Sequence, residues 1–82
     1  MRTVTRNRHA LSASHNFLGV VEASARLEWI TQRHPEVGEA WLYLGRVEAR
    51  RSNRRFAASG LRRAAVRLND PALELEAGFL TR

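Results

Sequence analysis

Apolar residues recur at helical spacing on both sides of a polar break at Ser52-Asn53. Before the break the apolar positions are Val37, Ala40, Trp41, Leu44 and Val47. After it they are Phe56, Ala57, Leu61, Ala64 and Leu68. This spacing predicts two helices, over residues 36–51 and 53–68, and Asn53 or Ser52 can cap the second one. Because the connection is so short, we expect the two helices to pack antiparallel.

The same pattern predicts three further helices. A strong one covers residues 20–34, with Val20, Ala23, Leu27 and Ile30 on one stripe before Pro35. A weaker one covers residues 8–18 and ends at Gly19. A short last helix covers residues 71–80, because Asp70 is a good N-cap and Pro71 suits the first helical turn. Its apolar residues facing the preceding helices should be Leu73, Ala77 and Leu80. The sequence therefore predicts an all-α protein.

Residue choice within 36–68 resembles the tetratricopeptide repeat, a unit of about 34 residues. The matching residues are Trp41-x-x-Leu44-Gly45 and Ala57-x-x-x-Leu61-x-x-Ala64, whereas Glu48 replaces the tyrosine of the pattern. A large ring fills the space between the helices, and small residues let the backbones approach. One period upstream stand Ala23, Leu27, Ile30 and Pro35. The resemblance implies one domain, 1–82, with two TPR-like antiparallel helical hairpins (about 8–34 and about 36–68) and a short C-terminal capping helix (about 71–80).

Length and composition narrow the class of protein. The chain has 82 residues and no Cys, and a domain this small is marginally stable, which favours a protein that leans on a partner. No disulfide can form, no apolar run approaches a membrane span, and residues 1–10 are too polar for a signal peptide. We expect a cytoplasmic protein with no membrane span.

The net charge of +6 comes from arginine alone, and the arginines are clustered. Eight lie between Arg46 and Arg67, where Glu48 is the single acidic residue. The missing lysine is explained by a high-GC genome as well as by a function of the arginines. The genome composition does not explain why the arginines are clustered. Nucleic-acid binding is therefore an alternative function, in which phosphates would contact the arginines of one helix, Arg54, Arg55, Arg62, Arg63 and Arg67. A general adaptor for acidic proteins is a third possibility.

The residues that carry catalysis or hold metals are sparse. His9 and His15 are six positions apart, which puts them on different sides of a helix, and His34 precedes Pro35 at a helix end. No nucleophile elbow, phosphate loop or dinucleotide fingerprint is present. The sequence predicts a binding protein that is not an enzyme, with no catalytic residue, cofactor or metal site.

The predicted partner-binding surface lies on the helix over residues 36–51, at the concave side of the stacked hairpins. Leu42, Arg46 and Ala49 lie along one line, with Tyr43 and Arg50 beside it. An apolar line bordered by arginines suits an amphipathic partner helix that carries acidic residues. The alternative is that Leu42 and Tyr43 pack within the protein. Trp29 is a further candidate, either as an anchor for a second protein or packed against Phe17 or the chain end.

A narrower resemblance covers about residues 20–82. Its motifs are Glu22-Ala23, Glu28-Trp29-Ile30, Asp70-Pro71-Ala72-Leu73 and Ala77-Gly78. They are similar to the TPR-like chaperones of bacterial type III secretion systems that hold the needle subunit. This resemblance implies a hetero-oligomer in the cytoplasm, in which the chain and a second small helical co-chaperone grip the C-terminal helix of the needle subunit. A subunit that polymerises through an apolar helix must have that helix covered before export.

Overall fold

The structure is a computed structural model that describes residues 19–82, and these residues form helices and turns with no strand. The helices are α1 (19–33), α2 (Gly38–Arg50), α3 (Arg54–Leu68) and α4 (Pro71–Leu80). The predicted all-α class is confirmed for this part of the chain. The helix predicted over residues 8–18 lies outside the described residues. Gly19 is the first described residue of α1, one position before the predicted start of that helix.

Pro35 and Ser52 mark the first two turns. After α1, the backbone N–H of His34 still donates to Ile30 O at 2.7 Å, and Pro35, which has no N–H, ends the pattern as predicted. Between α2 and α3, Ser52 adopts a left-handed conformation with φ 64°. Asn53 occupies the N-cap position of α3, but its side chain makes no cap hydrogen bond, so the predicted cap is wrong.

The turn between α3 and α4 follows the sequence prediction closely. Asn69 ends α3 in the left-handed region, which asparagine tolerates. Asp70 then caps α4, because its carboxylate accepts a hydrogen bond from Ala72 N at 3.1 Å, and Pro71 occupies the first turn. The predicted bounds of the last helix are confirmed.

Helices α2 and α3 pack antiparallel around two glycines. A Cβ added to Gly45 would lie 3.0 Å from Ala57 O, which confirms that the backbones approach closely at these residues. A Cβ on Gly60 would lie 3.2 Å from both Gly45 Cα and Trp41 O. Gly60 therefore contributes as much to the close approach as Gly45 does, although the sequence pattern did not single it out.

The repeat pattern predicts that Trp41 lies fully between the two helices. In the structure it lies only partly between them. Its side chain is half-buried, and the indole Nε1–H donates to Pro35 O at 2.8 Å. The guanidinium carbons of Arg63 and Arg67 lie 4.8 and 5.7 Å from the centre of the ring. The close approach at Gly45 and Gly60 leaves little room for a large ring, so the indole sits at the edge under two arginines.

The core is built from small residues of α3 and apolar residues of α4. Its members are Ala58, Leu61, Ala64, Ala65, Leu73 and Ala77, with Trp41, Leu42, Leu68 and Leu80 packed against it. The predicted inward residues of α4 are therefore confirmed. On α1 the predicted apolar stripe is half-buried, and the most deeply buried side chains are Ser24 and Thr31.

Candidate functional site

The α2 exposed face consists of Glu39, Tyr43, Arg46 and Arg50, which follow one another at helical spacing on the side opposite the buried residues of α2. Tyr43 is 57% exposed. A shallow concavity of about 310 Å³ opens here, and it is lined by Tyr43, Arg46, Val47, Ala49 and Arg50. Four of the predicted partner-binding residues therefore lie together. This arrangement offers an aromatic ring, two small apolar patches and two guanidinium groups within one concavity.

Leu42 does not belong to the α2 exposed face. It is half-buried and packs against the core, as the alternative interpretation held for this residue. Ala49 is also half-buried, and it contributes to the wall of the concavity rather than to its rim. The exposed line thus runs through Tyr43, Arg46 and Arg50 instead of through Leu42, Arg46 and Ala49. The face is therefore rotated away from the side of α2 that carries Leu42, which packs against the core formed by α3 and α4.

The two arginines of the α2 exposed face differ in their partners. Arg46 Nη2 lies 3.2 Å from Glu76 Oε1 of α4, so its charge is matched within the chain. Arg50 has no carboxylate within ion-pair distance among residues 19–82. Arg50 is therefore the side chain of this face that has a positive charge to offer to a carboxylate.

Trp29 lies on a different surface. It is 55% exposed, and the guanidinium carbon of Arg33 lies 4.4 Å from the centre of its ring. Ser24 marks the side of α1 that contacts α2, and five helical residues place Trp29 about 140° around the helix from it. Trp29 therefore faces away from α2. A contact between Trp29 and Phe17 would involve a residue outside the described part of the chain.

The arginines of α3 are partly occupied by contacts within the chain. Arg62 Nε lies 3.3 Å from Glu74 Oε1, and its Nη2 donates to Thr81 Oγ1 at 3.4 Å. Arg63 and Arg67 lie against Trp41. Arg54 and Arg55 are exposed and have no carboxylate partner among the described residues. Of the five arginines in the predicted phosphate-binding cluster, two are therefore free of such contacts.

A polar cluster, the Glu48 network, connects α1 to the turn after α2, with Ser24 and Glu48 buried and Arg51 and Asn53 exposed. Its members are Ser24, Glu48, Arg51 and Asn53. Glu48 is 2% exposed, accepts a hydrogen bond from Ser24 Oγ at Oε1, and accepts another from Asn53 Nδ2 at Oε2, 2.6 Å away. Arg51 Nη1 donates to Ser24 Oγ at 2.8 Å and to Glu48 Oε1 at 3.2 Å. The carboxylate is therefore fully partnered inside the protein.

The surroundings of Glu48 also set its protonation. Burial by itself raises the pKa of this carboxyl, but the hydrogen bonds from Asn53 and Ser24 and the charge of Arg51 outweigh it. The pKa of Glu48 is consequently below its ordinary value, and the group is ionised at neutral pH. The sequence offered one signal for this network, since Glu48 stands where the repeat pattern has a tyrosine.

Comparison with other proteins gives the chain no family. A scan against models of protein families, a search of curated proteins and a search of solved structures each gave no significant match. Within residues 19–82, no helix is both long and apolar enough to cross a membrane. The same residues contain no group of three or more His, Asp or Glu side chains placed to hold a metal ion. A functional proposal therefore rests on the surfaces described above.

Proposed function

We propose that this chain is a protein-binding adaptor or chaperone that holds an amphipathic helix of its partner on the α2 exposed face. The observation that carries the proposal is the concavity of about 310 Å³ lined by Tyr43, Arg46, Val47, Ala49 and Arg50. Tyrosine and arginine are enriched at protein interfaces, where a planar ring or guanidinium gives much contact for little loss of conformational entropy. The concavity runs along a helix, which suits the docking of a second helix.

The expected chemistry of the partner follows from the lining. An apolar side chain of the partner would contact Val47, Ala49 and the ring of Tyr43. A carboxylate one helical turn away would reach Arg50, whose charge is unmatched within residues 19–82. The partner segment is therefore an amphipathic helix with Asp or Glu beside its apolar stripe.

The repeat assignment supports a concave binding surface. We propose that α2 and α3 form a TPR-like hairpin, because Gly45 and Ala57 make the close backbone contact that the repeat pattern requires of small residues. Under this proposal residues 8–34 form the first hairpin, and α2 lines the concave side. The close contact between Gly45 and Gly60 gives the same support, although Gly60 is not part of the pattern.

The narrower proposal is a type III secretion chaperone, and its support is the sequence resemblance over residues 20–82. It names the C-terminal helix of a needle subunit as the first partner to test. A second small helical co-chaperone would make the complex a hetero-oligomer, with the exposed ring of Trp29 on α1 as one contact. A cytoplasmic location and a non-enzymatic role belong to the same proposal.

The test is a binding titration with labelled synthetic peptides, followed by fluorescence anisotropy. One peptide is an acidic amphipathic helix, for which the C-terminal helix of a needle subunit serves, and its matched control has each Asp and Glu replaced by Lys. The wild-type chain should bind the acidic peptide alone. Arg50→Glu should weaken binding by about tenfold or more, because an ion pair becomes a like-charge contact. Tyr43→Ala should weaken it by a similar factor.

The matched control variant is Arg55→Glu, which makes the same charge change at an exposed arginine of α3. Its affinity for the acidic peptide should stay within about threefold of wild type. Equal losses in Arg50→Glu and Arg55→Glu would mean that net charge alone attracts the peptide, and the proposed surface would be wrong. Circular dichroism on each variant shows whether the helices are intact.

Nucleic-acid binding remains the second candidate, favoured by the free side chains of Arg54 and Arg55. It is weaker because Arg62 is paired with Glu74 and because Arg63 and Arg67 lie against Trp41. A titration with a DNA duplex at two salt concentrations separates the candidates. Binding to phosphates falls steeply with salt, by a log-log slope of about −0.9 per phosphate, whereas apolar contacts in the concavity persist.

A further inference from the structure

The α2 exposed face carries one charge of each sign at its two ends. Glu39 lies in the first turn of α2, and Arg50 is the last residue of that helix. These positions are separated by about 16 Å along the helix axis and by about 20° around it. Both side chains therefore lie on nearly the same side of α2, with a negative charge at one end of a line and a positive charge at the other.

Neither of these charges is matched within the described chain. Among residues 19–82, no side chain of opposite charge lies within ion-pair distance of Glu39 or of Arg50. Both side chains are exposed. Both charges are therefore available to a second molecule.

The middle of the α2 exposed face differs from its ends, because its charge is matched. Arg46 Nη2 lies 3.2 Å from Glu76 Oε1. Tyr43, which is 57% exposed, lies one turn before Arg46 and supplies an aromatic surface. Val47 and Ala49 line the concavity beside these two residues. A helix bound here would meet an unmatched charge at each end and mainly apolar or neutralised surface between them.

This order of charges sets the charges that a bound helix must carry. A carboxylate near Arg50 would form an ion pair, but a second carboxylate about three turns away would lie against Glu39 and be repelled. A lysine or arginine at that second position would form an ion pair instead. The segment that fits is therefore dipolar, with an acidic residue and a basic residue about three turns apart and apolar residues between them.

The usual distribution of charge in helices then sets the direction of the bound segment. Acidic residues stabilise the first turn of a helix and basic residues stabilise the last turn, because each complements the helix macrodipole. Helix α2 follows this rule with Glu39 and Arg50. A partner helix that follows the same rule brings its acidic first turn to Arg50 when it runs antiparallel to α2. In the parallel direction, like charges would meet at both ends.

We propose that the helix bound on the α2 exposed face is dipolar and runs antiparallel to α2, with an acidic residue of its first turn at Arg50 and a basic residue of its last turn at Glu39. The charge order and direction rest on the proposed function, because they presuppose that a helix binds on this face. Glu39 is then a specificity-determining residue, since it selects against a helix that is acidic at both ends. The net charge of +6 would by itself favour such a helix.

Two synthetic peptides separate the effect of Glu39 from the effect of net charge. Both have the same apolar stripe and an acidic first turn, and a covalent staple on the opposite face keeps both helical. The dipolar peptide has Lys in its last turn, and the diacidic peptide has Glu there. The wild-type chain should bind the dipolar peptide about tenfold more tightly in a fluorescence anisotropy titration, because the diacidic peptide brings a carboxylate to Glu39. Attraction by net charge alone predicts the opposite order.

The outcomes distinguish this proposal from the one on which it rests. If the diacidic peptide binds as tightly as the dipolar peptide or more tightly, the dipolar pattern is wrong, and the α2 exposed face remains a site for acidic helices. If neither peptide binds, the proposed function and the dipolar pattern are both wrong.

A single substitution should reverse the preference between the peptides. Glu39→Lys places a positive charge at each end of the α2 exposed face, so this variant should bind the diacidic peptide about tenfold more tightly than the dipolar peptide. The matched control is Glu22→Lys, which makes the same charge change at an exposed glutamate of α1 and should keep the wild-type order. A reversed order in both variants would mean that net charge decides, and the role of Glu39 would be wrong. Circular dichroism checks that the helices of each variant are intact.

A nitroxide at the N-terminus of the dipolar peptide measures the direction of binding. In NMR spectra of the complex with the wild-type chain, its paramagnetic broadening should be strongest at amide signals near Arg50 and weaker near Glu39. The double variant Glu39→Lys with Arg50→Glu should bind the same peptide in the parallel direction, with the strongest broadening near position 39. Strongest broadening near Glu39 in the wild-type complex would overturn the antiparallel direction.

Discussion

Gly60 of α3 faces Gly45 of α2 at the point where the two helices cross, and a Cβ added to Gly60 would lie 3.2 Å from Gly45 Cα. Because this neighbour is backbone, it cannot move aside as a flexible side chain would. We therefore expect Gly60→Val to lower the free energy of unfolding by about 1 to 3 kcal/mol. Urea denaturation followed by circular dichroism measures the change.

The control for that prediction is Gly78→Ala, where the added Cβ meets nothing within 4 Å. Removing a helical glycine from an open position should raise the stability by up to about 1 kcal/mol. If both substitutions were stabilising, the close crossing of α2 and α3 at Gly60 would be wrong.

Replacing Glu48 by glutamine tests the Glu48 network. The pKa of Glu48 is below its ordinary value, so ionisation of this carboxyl stabilises the folded state. The contribution is present above the ordinary carboxyl pKa of about 4.3 and is lost as the pH falls through the lower folded pKa. Glu48→Gln should cost about 1.5 to 3 kcal/mol at pH 7, since the charge is lost and only one of the two accepting oxygens is kept.

The difference in unfolding free energy between wild type and Glu48→Gln should therefore shrink as the pH is lowered below about 4, because the amide does not titrate. Chemical denaturation at several pH values gives both curves. Glu39→Gln on the α2 exposed face is the matched control and should change the stability by less than about 0.5 kcal/mol throughout. A constant difference for Glu48→Gln across the pH range would contradict the assigned ionisation.

The two tryptophans should respond differently to replacement by alanine. Trp41 is half-buried, donates a hydrogen bond to Pro35 O and packs against the core, so Trp41→Ala should cost about 2 kcal/mol. This loss of unfolding free energy is smaller than for a fully buried ring, because the indole lies at the edge of the contact between α2 and α3. Trp29→Ala should cost less than about 1 kcal/mol, because the main contact in the described chain is with Arg33. Thermal melts of the two variants make the comparison directly.

Ser52 offers a stabilising change. Its φ of 64° is a conformation that costs an ordinary L-residue about 1 to 2 kcal/mol, and glycine adopts it freely. Part of that gain is offset by the greater entropy of glycine in the unfolded chain, so Ser52→Gly should add about 0.5 to 1 kcal/mol. Asn69 also has positive φ, but asparagine tolerates it, and Asn69→Gly should gain less. A larger gain at Asn69 than at Ser52 would contradict this account.

Helix positions could be predicted from the sequence because local chemistry sets them. Pro35 ends α1 because it lacks an N–H, and Asp70 caps α4 by accepting a hydrogen bond from Ala72 N. The helical period of the apolar residues is clear on both sides of Ser52. The environment of Trp41 could not be predicted in the same way. It depends on how closely α2 and α3 approach, and that distance is set by Gly60 as well as by Gly45. The repeat pattern includes Gly45 but not Gly60, so it does not determine how much space the Trp41 indole has between the helices.

In the candidate site, too, features set by local sequence could be predicted and features set by packing between helices could not. Tyr43, Arg46 and Arg50 lie where helical spacing placed them, beside one concavity. Leu42 does not, because an exposed or a packed leucine depends on how the core of α3 and α4 lies against α2, and the period of α2 carries no information about that packing. Ion pairs between helices, such as Arg46 with Glu76, could not be predicted from the sequence either, since these two residues are 30 positions apart.

The Glu48 network has a consequence for how the protein opens. Its hydrogen bonds join Ser24 of α1 to Arg51 and Asn53 in the turn after α2, so neither segment can leave without breaking bonds of the other. Amide hydrogens of α1 and of that turn should consequently exchange with solvent at a common rate, as one cooperative unit. In Glu48→Gln the two segments should separate into two exchange rates, with α1 the faster. A single carboxylate thereby couples the motion of two segments that are distant in the sequence.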